Sequence, residues 1–278
     1  MILFPNSKIN LGLSVTEKRK DGFHNIETVF YPVNWLDVLE ITLLTKSNHL
    51  EINTSGISIK GNVEQNLIYK AWELVKKDVN LPGMRVDLFK NIPMGAGLGG
   101  GSSDAAFFLK ALNTKCELNL NESQLLTYAN QLGSDCAFFL KNNALFAHGK
   151  GNEFEGININ LSAYCILIVY PNIHSNTAEA YGGLSLKDLP TQNVKEIVEQ
   201  IPVEQWKNTL YNHFEVSILM KYPKLTEIKQ YLYSKNALYV SLSGSGSAIY
   251  AIFKNAPELL EWPHGFHYFL QKPNSNAL

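Results

Sequence analysis

The stretch PMGAGLGGGSSD, residues 93–104, holds five glycines within seven residues and ends in two serines and an aspartate. Glycine has no Cβ, so a loop of this composition lets another group come close to the backbone. Three interpretations are open for it. The loop binds a phosphate group, binds a dinucleotide, or is only a flexible turn.

The segments on either side of the loop favour a phosphate. MRVDLFKNI, residues 84–92, alternates apolar and polar residues as a half-buried strand does. SSDAAFFLKALN, residues 102–113, predicts a helix with Ser102, Ser103 and Asp104 as its amino-terminal capping residues. Backbone amides without obstruction and the start of a helix together suit an anion.

The other interpretations fit the loop less well. A Walker loop needs a lysine followed by serine or threonine after its glycines, and none follows here. A GxGxxG pattern occurs at Gly95, Gly97 and Gly100, but RVDLFKN is charged, whereas a strand before a dinucleotide loop is apolar on both faces. A mobile linker would have polar low-complexity flanks. A second glycine segment, SGSGS at 243–247, is either a hairpin turn or a further source of amides for the same ligand.

Composition restricts the classes of function. With 24 basic and 25 acidic residues in 278, the formal charge of −1 provides no overall field for nucleic acid or an anionic membrane. Cys116, Cys136 and Cys165 are widely spaced, which favours free thiols in a reducing compartment. No secretory signal or long apolar stretch is present. We therefore expect a cytoplasmic protein without nucleic acid or membrane partners.

Two charged residues are candidates for chemistry. KINLGLSV, starting at Lys8, has strand periodicity and puts Lys8 and Asn10 on the same polar face. A lysine there is either solvated or functional. Asp135, in LGSDCAFFL, follows a helix stop and precedes an apolar run, so it either caps a helical turn or presents a charge at the edge of a core. A carboxylate and a cation are the minimum set for phosphoryl transfer to a hydroxyl.

These pieces resemble the GHMP kinases, a family of small-molecule kinases. The resemblance rests on FPNSKINLGL, PMGAGLGGGSS, GSDCAFF and the late SGSGSA, and it extends from about residue 5 to residue 253. It implies an α+β fold of two lobes, the first like domain 2 of ribosomal protein S5 and the second ferredoxin-like. We expect an ATP-binding domain over residues 1–155 and a substrate domain over residues 156–278.

RKDGFHNIETVF, residues 19–30, resembles the cytidine-binding segment of the family members that phosphorylate a cytidine diphosphate-linked methylerythritol at its 2-hydroxyl, in non-mevalonate isoprenoid synthesis. By this resemblance Asp135 is the catalytic base and Lys8 lies beside it. The residues expected to bind substrate are Asn10, Phe23, His24, Thr177 and Tyr181. Those expected to bind ATP are Pro93, Met94, Gly95, Ala96, Gly97, Leu98, Gly99, Gly100, Gly101, Ser102 and Ser103.

The chain departs from the family pattern at several positions. Phe23 stands where the family usually has tyrosine, and Asp104 where it often has asparagine. Asp104 adds a negative charge beside a phosphate site, which is tolerable if the residue caps the helix or faces Mg²⁺. Mg²⁺ is expected to arrive with ATP rather than in a protein metal site, and the oligomeric state to be a monomer or a weak homodimer.

Alternative functions remain open from the sequence. The chain could be a GHMP kinase for another small alcohol, such as mevalonate or homoserine, or a noncatalytic ligand sensor on the same fold. The GxGxxG match leaves a dinucleotide-binding oxidoreductase as a further alternative.

Overall fold

The structure, a computed structural model, describes residues 1–44, 47–185, 189–258 and 261–273. The strands are β1 (Ile2–Leu3), β2 (Asn6–Lys18), β3 (His24–Leu36), β4 (Val38–Leu44), β5 (Leu50–Gly56), β6 (Gly83–Lys90), β7 (Leu145–His148), β8 (Glu153–Gly156), β9 (Cys165–Tyr170), β10 (Tyr239–Leu242), β11 (Ile249–Phe253) and β12 (His267–Gln271). The helices are α1 (Leu67–Lys76), α2 (Gly100–Lys115), α3 (Glu122–Leu132), α4 (Ser134–Lys141), α5 (Thr177–Gly182), α6 (Val194–Gln200), α7 (Phe214–Lys221) and α8 (Pro223–Ser234). Short 3₁₀ helices cover Val63–Gln65 and Val203–Asn208.

The described chain divides into two compact units, each made of separate segments. The first contains residues 1–7, 34–94 and 99–143. The second contains residues 8–33, 95–98 and 144–278. The expected boundary at residue 155 refers to sequence domains and stays a prediction, because the long early strands β2 and β3 belong mainly to the second unit.

The first unit is a four-stranded sheet with helices on one face. Its strand order is β1–β4–β6–β5, with β4 antiparallel and β5 parallel to β6. In β6, Met84, Val86, Leu88 and Lys90 are buried, while the intervening side chains face outward. Helices α1 and α2 contact the sheet at β5 and β4, and α3 and α4 pack against these helices. Large side chains such as Trp72 of α1 are buried in this core. Each large apolar side chain buried in this way contributes about 1.5–3 kcal/mol to folding.

Helix α2 starts earlier than the sequence predicted. Its first residue is Gly100, and its N-cap is Gly99 in a left-handed conformation with φ +72°. Ser102, Ser103 and Asp104 therefore lie inside the helix, and no side chain forms a capping hydrogen bond. The capping prediction was wrong because Gly99, with no Cβ to strain, can turn the chain into the helix three residues sooner.

The second unit contains two further four-stranded sheets. One has the order β2–β3–β7–β8, and the other the order β10–β11–β9–β12 with antiparallel pairing throughout. A turn at Asp21 and Gly22 joins β2 to β3, and Gly22 has φ +85°, which glycine adopts without strain. A core of apolar residues from β9, β10, β11, α7 and α8 fills this unit.

The α+β prediction is confirmed. The apolar stretch at 163–170 contains β9, and residues 241–253 contain the end of β10, the SGSGS turn and β11. The segment between β9 and β10 holds α5, α6, α7 and α8, and its residues 186–188 lie outside the described residues.

Candidate phosphate loop and ligand cavity

In the second unit, the glycine loop is held by the SGSGS turn. A Cβ added at Gly97, which has φ +81°, would lie 1.9 Å from the carbonyl oxygen of Ser243. The Ser243 hydroxyl donates to the Gly97 carbonyl at 2.8 Å, and the Ala248 N–H donates to the Ala96 carbonyl at 3.1 Å. The group that approaches the backbone at Gly97 is therefore another part of the protein, and the late glycine turn supports the loop.

Lys8 lies on β2 beside this loop. Its backbone N–H donates to the Leu98 carbonyl at 3.0 Å, and its side chain is 4% exposed. The ammonium donates to Asn10 Oδ1 at 2.6 Å and lies 4.9 Å from the centroid of the Phe30 ring. Asn10 Nδ2 in turn donates to the hydroxyl of Thr28 at 3.0 Å. This arrangement fixes both polar side chains of the strand face that the sequence predicted.

In the first unit, the end of the loop forms the start of α2. A Cβ added at Gly100 would lie 3.0 Å from Ile92, and one added at Gly101 would lie 3.4 Å from Met94. The Ser103 side chain is fully buried, and its hydroxyl has no hydrogen-bond partner among the described residues. The first helical N–H groups have no side-chain cap, and the helix dipole favours negative charge there. This end of the loop offers hydrogen-bond donors to an anion.

Asp135 lies in the first turn of α4, also in the first unit. Its side chain is half-buried, and the N–H of the next residue, Cys136, donates to the Gly133 carbonyl at 3.1 Å. A carboxylate in the first turn of a helix is favoured by the positive end of the helix dipole. The position keeps a negative charge partly accessible at the edge of an apolar helix, which suits a base.

Asp104 does not cap helix α2. It is 3% exposed, and its Oδ2 accepts a hydrogen bond from the Lys90 ammonium at 2.6 Å. Lys90 also donates to Asp37, and all three charged side chains are buried. The prediction that Asp104 caps the helix was wrong, because a lysine from β6 reaches it inside the core.

Four of the five predicted substrate-binding residues line one cavity in the second unit. The cavity measures about 610 Å³, a size that suits a small ligand. It is lined by Phe23, His24, Thr177 and Tyr181. Asn10 lies instead in the polar cluster next to Lys8.

Aromatic rings shape this cavity. The His24 and Tyr181 rings are stacked, with centroids 4.4 Å apart and planes 11° apart. Phe214 supports Tyr181 edge-on at 4.8 Å, whereas Phe23 is 60% exposed at the rim. Burial and the nearby Lys18 charge lower the pKa of His24 below its ordinary 6.5. The imidazole is thus neutral at pH 7, with one donor and one acceptor for a polar ring edge.

Sequence reasoning missed two lysines at the cavity and the support of the loop. Lys18 and Lys150 line the cavity, and the Lys150 ammonium lies 4.9 Å from the Phe23 ring centroid. Lys150 stands between two glycines with positive φ, Gly149 and Gly151, and that spacing was the available signal. Nothing local in the sequence indicated that Ser243 would meet Gly97.

The described residues contain no group of three or more His, Cys, Asp or Glu side chains that could hold a metal ion. Across the same residues, no helix combines the length and apolar character needed to cross a bilayer. The three cysteines are free thiols.

Comparison with known proteins gives consistent matches. Family models described as GHMP kinases N terminal domain and GHMP kinases C terminal match residues 66–143 and 186–261. A 4-diphosphocytidyl-2-C-methyl-D-erythritol kinase of Bacteroides thetaiotaomicron is 47% identical over 98% of this chain and 99% of its own length. One of Bacteroides fragilis is 48% identical over 91% of this chain and 92% of its own.

Solved structures agree with the sequence matches. The crystal structure of a 4-(cytidine 5'-diphospho)-2C-methyl-D-erythritol kinase superposes with a TM-score of 0.77 at 30% identity, over 91% of this chain and 90% of that one. Both family models, and relatives that span nearly the whole chain, indicate the same family. The chain belongs to the GHMP kinase family.

Proposed function

We propose that this chain transfers the γ-phosphoryl group of ATP to the 2-hydroxyl of 4-diphosphocytidyl-2-C-methyl-D-erythritol, in isoprenoid precursor synthesis. Its relatives at 47% and 48% identity carry the name of this kinase. Products of the reaction are the 2-phosphate and ADP.

The observation that carries the choice of substrate is the aromatic cavity. His24 and Tyr181 form a stacked pair at its wall, and the neutral imidazole can donate to and accept from the edge of cytosine. Phe23 at the rim adds a further aromatic face for a base. Lys18 and Lys150 line the same cavity and supply positive charge for a diphosphate.

The chemical step needs a base and charge stabilisation. We assign the base to Asp135, which takes the proton of the 2-hydroxyl as its oxygen attacks the γ-phosphorus and the bond to the β-phosphate oxygen breaks. The Lys8 ammonium, oriented by its hydrogen bond to Asn10, offsets negative charge that develops on the transferring oxygens. Asn10 acts in this scheme by fixing Lys8, and a direct contact of Asn10 with substrate stays a prediction.

The glycine loop from Pro93 to Ser103 holds the ATP phosphates in this proposal. The amides at the start of α2 and the Ser102 hydroxyl are the donors of the first unit, and the orphaned Ser103 hydroxyl is a further polar group beneath them. Mg²⁺ arrives with ATP and neutralises phosphate charge, held by phosphate oxygens and water. Removing divalent cations with EDTA should stop turnover, and added Mg²⁺ should restore it.

The testing experiment measures ADP formation with the cytidine compound, mevalonate and homoserine side by side. We expect turnover with the cytidine compound alone. Asp135→Asn should lower kcat by about 10²–10⁴-fold while cytidine diphosphate still binds, since base catalysis contributes that much. His24→Ala should raise KM for the cytidine substrate by about tenfold, because a polar edge of the base loses its partner. Turnover with another alcohol, or ATP binding without turnover, would contradict the assignment.

The proposal also covers the cellular compartment, the oligomeric state and the partners of the protein. We infer a cytoplasmic enzyme that acts as a monomer or weak homodimer, without nucleic acid or membrane partners. The near-neutral formal charge of −1 and the three free thiols support this inference.

A further inference from the structure

Three charged side chains form a buried cluster in the first unit, which we call the stem triad: Asp37, Lys90 and Asp104. Lys90 and Asp37 are 0% exposed and Asp104 is 3% exposed. The Lys90 ammonium donates to Asp37 Oδ2 and, at 2.6 Å, to Asp104 Oδ2. The triad carries one positive and two negative groups, which is a costly composition for a protein interior.

The triad joins the two stems of the glycine loop. Lys90 is the last residue of β6, which leads into the loop, and Asp104 lies on α2, which leaves it. Asp37, between β3 and β4, accepts through Oδ1 from the N–H groups of Asn91 at 2.6 Å and Ile92 at 2.9 Å. One buried carboxylate therefore fixes the strand-side stem directly and, through Lys90, the helix-side stem as well.

Close packing around the triad leaves little freedom in the distance between the end of β6 and the start of α2. A Cβ added at Gly100 would lie 3.0 Å from Ile92 and 3.3 Å from the Lys90 ammonium. The start of α2 is thus pressed against the end of β6, with little room to shift. A displacement of Lys90 would move the first amides of α2, which are the phosphate donors of the proposed function.

A neutral partner would serve Lys90 nearly as well as a second carboxylate. Burial, followed in effect by the Asp37 charge, raises the pKa of Asp104 to about 7 against the lowering effect of Lys90. Asp104 therefore holds its negative charge weakly, and a hydrogen-bond acceptor is what the position requires. An asparagine at this position would supply such an acceptor without charge.

We propose that the stem triad is a positioning device for ATP binding, in which Lys90, anchored by Asp37, uses the acceptor at Asp104 to hold α2 at the separation from β6 that the triphosphate needs. The inference rests on the proposed use of the glycine loop for ATP. Lys90, Asp37 and Asp104 act through the loop amides and touch no substrate themselves.

The test compares two substitutions at one position. Asp104→Ala removes the acceptor and leaves the neutral Lys90–Asp37 pair, while Asp104→Asn keeps the acceptor. Binding of a nonhydrolysable ATP analogue with Mg²⁺ and binding of cytidine diphosphate are both measured by calorimetry, with thermal unfolding as a check of folding. Asp87→Asn, which alters an exposed ion pair with Arg85 on the same strand, is the matched control.

We expect Asp104→Ala to weaken binding of the ATP analogue about tenfold. The affinity for cytidine diphosphate should stay within twofold of that of the unaltered protein. Asp104→Asn should restore analogue binding to within threefold, and Asp87→Asn should change neither ligand. A lower melting temperature with unchanged analogue binding in Asp104→Ala would overturn the proposal, as would equal weakening of both ligands or failure of Asp104→Asn to rescue. If the unaltered protein bound no ATP analogue, the proposed function itself would fail.

Discussion

Helices α2 and α3 belong to the same unit and begin in opposite ways. At the start of α3, Asn121 Oδ1 accepts from the Gln124 N–H at 3.0 Å, and Gln124 Oε1 accepts from the Asn121 N–H at 2.9 Å. This capping box satisfies two amides from within the sequence. Helix α2 begins after a left-handed Gly99 and has no side-chain cap.

The difference contrasts a helix start that serves stability with one that, in the proposed function, serves a ligand. A capping box leaves fewer free amides for a phosphate, because side chains accept hydrogen bonds from two of them. The uncapped start of α2 gives up that stabilisation, along with the helix propensity lost at Gly100 and Gly101. In the proposed function, the phosphates of ATP take the place of the missing cap.

The largest effect should come from Gly97→Ala. The new Cβ would meet the Ser243 carbonyl at 1.9 Å, and the positive φ adds strain, so the loop must move. We expect affinity for the ATP analogue to fall at least about a hundredfold, equivalent to about 3 kcal/mol.

Gly265→Ala is the control for Gly97→Ala, because Gly265 has φ +89° and no atom within 4 Å of an added Cβ. It carries the backbone strain without the collision, and analogue binding should be unchanged. Equal analogue affinity in Gly97→Ala and the unaltered protein would show that the loop does not need the turn at Ser243.

The next effect concerns pH and Asp104 in α2. Burial raises the pKa of Asp104 to about 7 in the folded protein, whereas its ordinary value is 3.8. The folded state therefore binds more protons than the unfolded state between those values, and the Asp104 contribution to stability falls as pH rises from about 4 to about 7. Relative to Asp104→Asn, the free energy of unfolding should decline by on the order of 3 kcal/mol over this range, because one unit of pKa difference corresponds to about 1.4 kcal/mol. Parallel pH profiles for the two proteins, measured by urea unfolding, would contradict this.

Gly101→Ala should separate stability from binding at the start of α2. A helical glycine costs up to about 1 kcal/mol relative to alanine, and the nearest atom to an added Cβ is Met94 Cε at an ordinary 3.4 Å. We expect a more stable protein with about tenfold weaker binding of the ATP analogue. Unchanged binding with higher stability would mean that phosphate does not approach this residue.

Asn121→Ala should give the smallest effect and the opposite pattern. Loss of a capping side chain costs about 1 kcal/mol of stability. Binding of the ATP analogue should stay within twofold, because the capping box of α3 is structural. Loss of analogue affinity without loss of stability would remove the distinction between the two helix starts.

Much of this architecture follows from local patterns. Alternation predicted β2 and β6, and Asn121 and Gln124 have the sequence spacing of the capping box that begins α3. The alternation in β6 even put Lys90 on the same face as Val86 and Leu88, which is the buried face. That parity is the local signal for a buried lysine, but it does not identify the partners of its ammonium group.

Contacts between distant parts of the chain could not be read in the same way. Lys90 meets Asp37, which lies 53 residues earlier, and Gly97 meets Ser243, which lies 146 residues later. The cavity residues Phe23, His24, Thr177 and Tyr181 came from the family resemblance rather than from any local signal. The helix start at Gly99 was missed because a glycine N-cap leaves no side chain to recognise.

The most direct measurement is a backbone amide NMR titration with a nonhydrolysable ATP analogue and Mg²⁺. If the phosphates replace the missing cap, the amide signals of residues 97–103 should shift saturably, while those of residues 121–124 stay in place. Saturable binding of the analogue that left the amides of residues 97–103 unmoved would contradict the account.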